Sequence, residues 1–398
     1  MKKKCAPHGR KGFAYAVGIF RLSGLCLLMM LMANGVQGGQ DSDMDQTAGG
    51  EREWVAANDP RIQLSDGLHQ MSGEDGAVYF DRVIDGPGRG FRWDAPGARV
   101  RWRTNSPEVV VRLRYSSRHI GSSRNSVGVF RIDGRSKPTW RFTRPAPGDV
   151  QLDLPMPVPA DGALHDYELI LPYADSIDIL GVEVQAGAGW EAPKPRPETR
   201  YLAFGDSVTH GFTASVVTGS YAFLTAEYLN WELVNLGIGG RGTNASDGAF
   251  LGGIDAAVIS ILIGVNDWQG GAGLEWFRGN YDRLLAGLRE RHPDVPVFVV
   301  TPLWVPPSWQ PASVKHPLEA YREQIRQSVA ALEDPLITVI EGPSLIDHDP
   351  KLFDPIAVHP NDDGFKQMAQ RLSAAMCAAT SIGISVTPAA SSASEDSL

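Results

Sequence analysis

Four short segments, far apart in the chain, carry residue types that can do chemistry on a carbonyl group. Gly205-Asp206-Ser207 offers a hydroxyl, while Gly240 and Asn266 offer hydrogen-bond donors. His359 offers an imidazole. A serine that attacks a carbonyl at neutral pH needs a base to take its proton, and the oxyanion that forms needs donors. The four segments therefore predict a nucleophile, an oxyanion hole and a general base.

Each segment taken alone also has an ordinary structural explanation. Gly-Asp-Ser is a common turn composition, the glycines before Arg241 can be a simple connector, and Asn266-Asp267 can be a turn. A single loop histidine such as His359 is usually just solvated. The case therefore depends on where the surrounding elements place the four segments.

After Arg200 the apolar pattern alternates between continuous runs typical of strands buried on both faces and longer amphipathic stretches typical of helices. This alternation predicts an open parallel sheet with helices on both sides, an α/β fold. Such sheets bind ligands beyond the carboxyl ends of their strands, where these segments fall. The predicted strands are 201–204, 233–236, 258–263, 295–300 and 337–340, and the predicted helices are 221–229, 276–289, 318–332 and 364–377.

Residues 59–188 instead show apolar residues at every second position, in short runs broken by Gly, Pro, Asp and Asn. The runs lie at 109–115, 127–132, 167–171 and 177–184. Several short strands at this spacing predict an all-β sandwich of jelly-roll type. Residues 189–199 hold three prolines and are predicted to be a linker to the domain at 200–382.

The two ends of the chain are predicted to lie outside these domains. Residues 1–39 combine basic residues with an apolar run and are interpreted as a signal peptide, so the protein is expected to be secreted or periplasmic. An uncleaved anchor that starts at Phe13 is the alternative. Residues 40–58 are predicted to be a flexible spacer and 383–398 a disordered tail. Cleavage would leave Cys377 alone, with no intrachain disulfide.

The overall composition excludes several classes of protein. A length of 398 residues favours two domains, and 43% apolar with 21% charged residues is ordinary for globular proteins. The net charge of −9 argues against a nucleic-acid partner or a stable membrane partner, since either requires a basic face. The oligomeric state is not indicated.

The order Ser, Gly, Asn, His resembles the SGNH, or GDSL, hydrolase family, and the resemblance covers about residues 200–380. It implies a flavodoxin-like, three-layer αβα domain in which Ser207 is the nucleophile and His359 the base. It also implies an oxyanion hole formed by the backbone N–H groups of Ser207 and Gly240 and by the Asn266 side chain. Gly239 is the alternative to Gly240, because the two are adjacent.

One position departs from the family pattern. The family usually has an aspartate three residues before the histidine, and here that residue is Ile356. Asp354 is the nearest carboxylate and is the candidate that orients His359. The alternative is a Ser–His dyad whose imidazole is held by a backbone carbonyl or by Asp347 or Asp349.

A predicted jelly roll before a GDSL domain is similar in architecture to carbohydrate esterase family two. Trp268, Trp304 and Trp309 lie in or near the predicted strand-end loops and are candidates to stack on a sugar ring, as is Trp276 nearby. Each can equally be a packing anchor. The expected function is a secreted serine esterase that removes an acyl group, chiefly acetyl, from a carbohydrate.

Two other functions stay open at this stage. One is a lipase or lysophospholipase type of acylhydrolase with the same site, and the other is a non-catalytic carbohydrate-binding protein on a hydrolase scaffold. No cluster of residues has metal-ligand spacing, and the glycine-bearing turns lack phosphate-loop and dinucleotide signatures. No metal and no organic cofactor are therefore expected.

Overall fold

The structure is a computed structural model that describes residues 50–83, 86, 88–122, 126–309, 311–354 and 358–379. The predicted signal peptide, most of the predicted spacer and the predicted tail lie outside the described residues. In the described ranges, no helix combines the length and the apolar content needed to cross a bilayer.

Residues 52–191 form the N-terminal β domain, whose apolar residues alternate with polar ones because one face of each sheet is buried. Strands β1, β3, β4, β6, β9 and β11 form one antiparallel sheet, and β2, β5, β7, β8, β10 and β12 form the other. The predicted all-β architecture is confirmed, and its jelly-roll connectivity stays a prediction. The strands are β1 (Arg52–Ala56), β2 (Gln63–Leu64), β3 (His69–Ser72), β4 (Val78–Asp81), β5 (Arg99–Thr104), β6 (Val109–Ser116), β7 (Gly128–Ile132), β8 (Arg141–Phe142), β9 (Val150–Pro155), β10 (His165–Ile170), β11 (Ser176–Gln185) and β12 (Trp190–Glu191).

Two of these strands lie in segments for which the sequence predicts no regular structure. β1 pairs with β11 inside the predicted spacer, and β12 pairs with β5 inside the predicted linker. Val55 is buried, while Arg52 forms ion pairs with Glu108 and Glu183 on the outer face. The spacer prediction is therefore wrong over β1, because a polar edge strand needs few apolar residues. The other domain boundaries stay predictions.

Residues 200–379 form the C-terminal domain, built on a parallel sheet in the order β14-β13-β15-β16-β17. In order of sequence this is 2-1-3-4-5, the flavodoxin-like order that was predicted. The strands are β13 (Arg200–Gly205), β14 (Glu232–Gly237), β15 (Val258–Leu262), β16 (Val297–Val300) and β17 (Ile337–Ile340), and the helices are α1 (Ser207–His210), α2 (Tyr221–Leu229), α3 (Asp247–Leu251), α4 (Val265–Gln269), α5 (Leu274–Arg291), α6 (Leu318–Leu332) and α7 (Asp362–Ala379).

Helices cover both faces of this sheet, which explains its continuous apolar strands. Along β13, Tyr201 and Ala203 pack in the core that includes residues of α2 and α7. Leu202 and Phe204 point to the opposite core, with residues of α5 and α6. Successive side chains of a strand point to opposite faces, so every residue of β13 from Tyr201 onward must be buried.

The N-terminal β domain packs along β14, the edge strand of the parallel sheet. Gly67 contacts Val234 closely enough that a Cβ atom at Gly67 would lie 2.7 Å from the valine side chain. Farther along, the Arg82 guanidinium donates hydrogen bonds to the carbonyls of Gly237 and Phe91 and is fully buried. Covering an edge strand in this way removes a site for intermolecular pairing.

We expect Arg82→Met to lower the free energy of unfolding by about 2–4 kcal/mol, since it leaves the carbonyls of Gly237 and Phe91 without their buried donor. Urea unfolding measures this loss. The matched control is Arg112→Met, because Arg112 pairs with Asp153 on the surface and should contribute no more than about 1 kcal/mol. Equal losses in the two variants would show that the buried contact does not stabilise the fold.

Candidate active site

Ser207 is the first residue of α1, directly after β13, the second strand of the parallel sheet. Asp206 caps the helix, since its carboxylate accepts the N–H of Val208 at 2.9 Å. A Cβ atom at Gly205 would collide with the carbonyl of Leu262 on the neighbouring strand. At the first position of a helix the Ser207 N–H has no intrahelical acceptor, so it can donate to a ligand.

His359 contacts the predicted nucleophile directly. Its Nε2 lies 2.7 Å from Ser207 Oγ, although 152 residues separate the two in sequence. Its backbone carbonyl accepts the N–H of Asp354 at 2.8 Å, which closes the loop before α7. At 2.7 Å from the hydroxyl, His359 Nε2 can take the Ser207 proton. The structure thus brings the two predicted residues together.

The three carboxylates predicted as partners of His359 lie in different surroundings. Asp354 is buried at the start of the loop that carries His359. Asp347 is exposed and bonds to Arg371 and Gln367, and Asp349 accepts the N–H of Lys351. Ile356, at the family's usual aspartate position, lies outside the described residues. Position in the loop favours Asp354 over the other two.

The predicted oxyanion donors follow the two strands that flank β13. Asn266 lies in α4 after β15, and its Nδ2 donates one hydrogen bond to the carbonyl of Arg241 at 2.9 Å. That bond fixes the amide and leaves its second N–H for a ligand. Gly240, after β14, is exposed with a φ of +73°. Gly239 instead faces Phe91, whose ring lies 2.9 Å from a Cβ built there.

A buried carboxylate joins the same two loops one residue farther on. Asp267 accepts the N–H of Thr243 at 2.9 Å and its hydroxyl at 2.8 Å. Burial raises the pKa of Asp267, and the two hydrogen bonds act in the opposite direction. The Asp267–Thr243 and Asn266–Arg241 contacts together fix the loop of Gly240 against α4.

The three tryptophans predicted to bind substrate share one cavity. Trp268, Trp304 and Trp309 line a space of about 160 Å³ together with Val305 and Arg322. Trp268 is nearly buried and its indole N–H donates to the carbonyl of His316, so it also anchors the fold. Trp304 stacks on His348, with 5.1 Å between the ring centroids. Trp276 lies apart on α5 and is exposed.

Sequence reasoning missed a buried polar cluster behind the nucleophile. His210, three residues after Ser207, lies 3.4 Å from the carboxylate of Asp94, and His119 lies 2.6 Å from the same carboxylate. Burial alone would raise the pKa of Asp94, but the two histidines hold it below its usual range. Asp94 and His119 belong to the N-terminal β domain, where no motif marks them. In the described ranges, no three His, Cys, Asp or Glu side chains form a group fit for a metal ion.

Residues 203–367 match the family model of the GDSL-like lipase/acylhydrolase family. The C-terminal domain is a GDSL hydrolase domain. It contains all four predicted site segments, and the family's chemistry makes the protein an ester hydrolase. No curated protein sequence matches the chain.

Solved structures with the same two-part architecture resemble the chain over most of its length. The salicylyl-acyltransferase SsfX3 of a tetracycline biosynthetic pathway is 21% identical, with a TM-score of 0.70 over 84% of this chain and 99% of its own. A family two carbohydrate esterase from Cellvibrio japonicus is 18% identical, with a TM-score of 0.63 over 83% and 98%. The acetyl xylan esterase Est2A from Butyrivibrio proteoclasticus is 12% identical, with a TM-score of 0.57 over 82% and 97%. At sequence identities of 12–21%, the similarity shows that this chain shares the fold of these proteins.

The hydrolase domain also holds a buried acid next to Ser207. Burial is the main cause that raises the pKa of Asp206 to about 7, and the nearby charge of Asp267 adds to it. The hydrogen bond from the Val208 N–H acts in the opposite direction. The folded protein therefore holds a proton on Asp206 at pH values where the unfolded chain has lost it.

This proton predicts a pH dependence of stability. Because the folded state binds the Asp206 proton more tightly, the free energy of unfolding should fall as pH rises from about 4 to 7. Asp206→Asn keeps the helix cap and should remove about 2–3 kcal/mol of the decline between pH 5 and pH 8. Urea unfolding at both pH values measures this. The control Asp255→Asn changes a 98% exposed side chain and should follow the parent protein, whereas a parallel Asp206→Asn curve would refute the assignment.

Proposed function

We propose that the protein is a serine esterase that hydrolyses a short acyl ester, chiefly acetyl, on a carbohydrate. The observation that carries this proposal is the 2.7 Å contact between Ser207 Oγ and His359 Nε2 within a GDSL hydrolase domain. The predicted leader supports export of the enzyme, where it would meet extracellular or periplasmic glycans.

In the proposed reaction, His359 Nε2 takes the Ser207 proton while Oγ attacks the carbonyl carbon of the ester. The oxyanion accepts hydrogen bonds from the N–H groups of Ser207 and Gly240 and from Asn266. Collapse breaks the bond to the sugar oxygen, which leaves with the proton from His359. Water then gives a proton to His359 and attacks the acyl-enzyme. The bond between the acyl carbon and Ser207 Oγ breaks, Oγ takes the proton from His359, and the carboxylic acid leaves.

Asp354 is proposed to orient His359 during these steps, with a backbone carbonyl as the alternative. An acceptor for the Nδ1 proton selects the tautomer that leaves Nε2 able to take a proton. Asp354 is buried, and its N–H already bonds to the carbonyl of His359. This backbone hydrogen bond supports Asp354 as the residue that orients His359, because it holds the start of the loop close to the base.

The preference for a short acyl group is supported by the space beside the nucleophile. A cavity of only about 10 Å³ is lined by Val208, Val265 and Val358, each adjacent in sequence to a predicted site residue, by further apolar residues and by Asp206. That is room for about one water molecule. An acyl group that enters this cavity can be little larger than a methyl group, which supports acetyl as the acyl group.

The preference for a sugar is supported by the tryptophan cavity. Val305 lines both this cavity and the small one beside Ser207, so the two spaces are neighbours. Flat aromatic faces suit sugar rings, and two of the similar structures are described as carbohydrate esterases or acetyl xylan esterases. An acylated carbohydrate is therefore the proposed substrate.

Ser207→Ala should abolish hydrolysis of p-nitrophenyl acetate and release of acetate from acetylated xylan, because it removes the atom that attacks. Initial rates and the melting temperature of each variant are the measurements. The control Ser136→Ala removes a hydroxyl that bonds to the Phe130 carbonyl in the N-terminal β domain, and should leave the rates unchanged. Full activity of Ser207→Ala, or an inactive parent protein that binds the glycan, would refute the proposal.

Trp304→Ala should raise KM for an acetylated oligosaccharide about tenfold and leave hydrolysis of p-nitrophenyl acetate nearly unchanged, because only the sugar reaches the tryptophan cavity. Trp276→Ala, which removes an exposed side chain of α5, is the matched control and should change neither substrate's KM. Equal effects of Trp304→Ala on both substrates would place the sugar elsewhere. Rates that increase from acetyl to octanoyl esters would favour the lipase alternative instead.

A further inference from the structure

Thr213 has a backbone conformation that its side chain disfavours. Its φ is +82°, in the left-handed region where glycine is common and a β-branched residue is an outlier. It follows Gly211 and Phe212, which end the helix that carries Ser207. Strained residues of this kind persist where surrounding contacts hold them, and they cluster at functional sites.

Three contacts hold Thr213 in place. Its N–H donates to the Tyr173 hydroxyl of the N-terminal β domain at 3.3 Å. Its Oγ1 lies 2.6 Å from the carbonyl of Pro360 and also close to the carbonyl of Phe212, so its one proton serves either acceptor. The side chain is buried. Thr213 thus connects the β domain to the residue that follows His359.

The same turn reaches the predicted base and nucleophile by other contacts. The Phe212 ring lies against the His359 imidazole, with 4.9 Å between centroids. The Phe212 N–H donates to the carbonyl of Ser207 at 3.0 Å. Two residues on, the Ser215 N–H donates to the Asp362 carboxylate at 2.7 Å, at the start of α7. The turn therefore contacts both partners of the Ser207–His359 pair.

We propose that Thr213 is a positioning residue, whose hydroxyl holds the Pro360 carbonyl and so sets the place of His359 relative to Ser207. This inference rests on the proposed function of the same site. A displacement of about 1 Å in a reacting group can reduce a rate about 100-fold, so a single hydrogen bond next to the base can matter greatly.

If Thr213 had only a structural role, its buried hydroxyl would need no more than a hydrogen-bond acceptor. Thr225 shows that the fold does not depend on this everywhere, because within the described residues its buried hydroxyl has no hydrogen-bond partner. A structural role also gives no reason to keep a threonine at a φ of +82°, where glycine avoids the strain. A function for the hydroxyl explains why a threonine stands at this φ.

The experiment compares four variants of the full chain with p-nitrophenyl acetate. Thr213→Val keeps the shape and removes the hydroxyl, Thr213→Ser keeps the hydroxyl, and Thr213→Gly removes both the hydroxyl and the backbone strain. Thr225→Val makes the same chemical change at a buried site away from the turn. Values of kcat and KM and the melting temperature are measured for each.

We expect kcat to fall about 10- to 100-fold in Thr213→Val and Thr213→Gly, with KM within about a factor of two. Thr213→Ser should keep kcat within about threefold, and Thr225→Val should match the parent protein. Thr213→Gly keeps the test decisive if Thr213→Val does not fold, because glycine suits the local backbone. Unchanged kcat in Thr213→Gly, or a fall in Thr213→Ser as large as that in Thr213→Val, would overturn the inference.

Failure of this inference and failure of the proposed function give different results. If the proposed function is wrong, the parent protein itself lacks esterase activity or keeps it in Ser207→Ala. If only the inference is wrong, the parent is active, Ser207→Ala is inactive, and the hydroxyl of Thr213 has no effect on kcat.

Discussion

The contact between Ser207 Oγ and His359 Nε2 is the constraint to which the rest of the structure must conform. Two side chains 152 residues apart in sequence must be held 2.7 Å apart, one at the start of α1 and the other in the loop before α7. The parallel sheet makes this possible, because the carboxyl end of β13 lies between those of β14 and β15. α7 then begins just after His359 and packs against α2, next to the helix of Ser207.

The surroundings of the proposed site combine exposed candidate reacting groups with buried supports. Ser207, Gly240, Asn266 and His359 all retain exposure, whereas their supports Asp206, Asp267 and Arg82 are buried. Buried polar groups are costly unless they are hydrogen-bonded, and here several of those bonds fix the loops that carry the reacting groups. The N-terminal β domain takes part in this, since Arg82 holds the Gly237 carbonyl and Asp94 lies beside His210. The N-terminal β domain is thus a structural part of the proposed site.

Regular elements that bury long apolar faces could be predicted from the sequence, and features set by tertiary contacts could not. The strand at Ile337–Ile340 and the helices at Tyr221–Leu229 and Leu318–Leu332 have the predicted bounds, because each pattern spans the whole element. α1, α3 and α4 were missed, since helices of four or five residues are too short to show a period. β1 was missed because this polar edge strand has too few apolar residues to show a period of two. The positive φ of Thr213 has no sequence signal, as threonine itself disfavours it.

The departure at Ile356 is less damaging to the proposed mechanism than it first suggests, because a catalytic imidazole needs two separate things. It needs an acceptor that selects its tautomer, and it needs a fixed place relative to the nucleophile. The family's usual aspartate is suited to selecting the tautomer, and other hydrogen-bond acceptors can do the same. The position of the imidazole depends on packing and backbone contacts. In this chain the Phe212 ring lies against the imidazole, and the Thr213 hydroxyl bonds to the carbonyl of Pro360, the residue after His359. A change of acceptor along the loop can therefore leave the geometry of the pair intact, provided that these contacts from the end of α1 are kept.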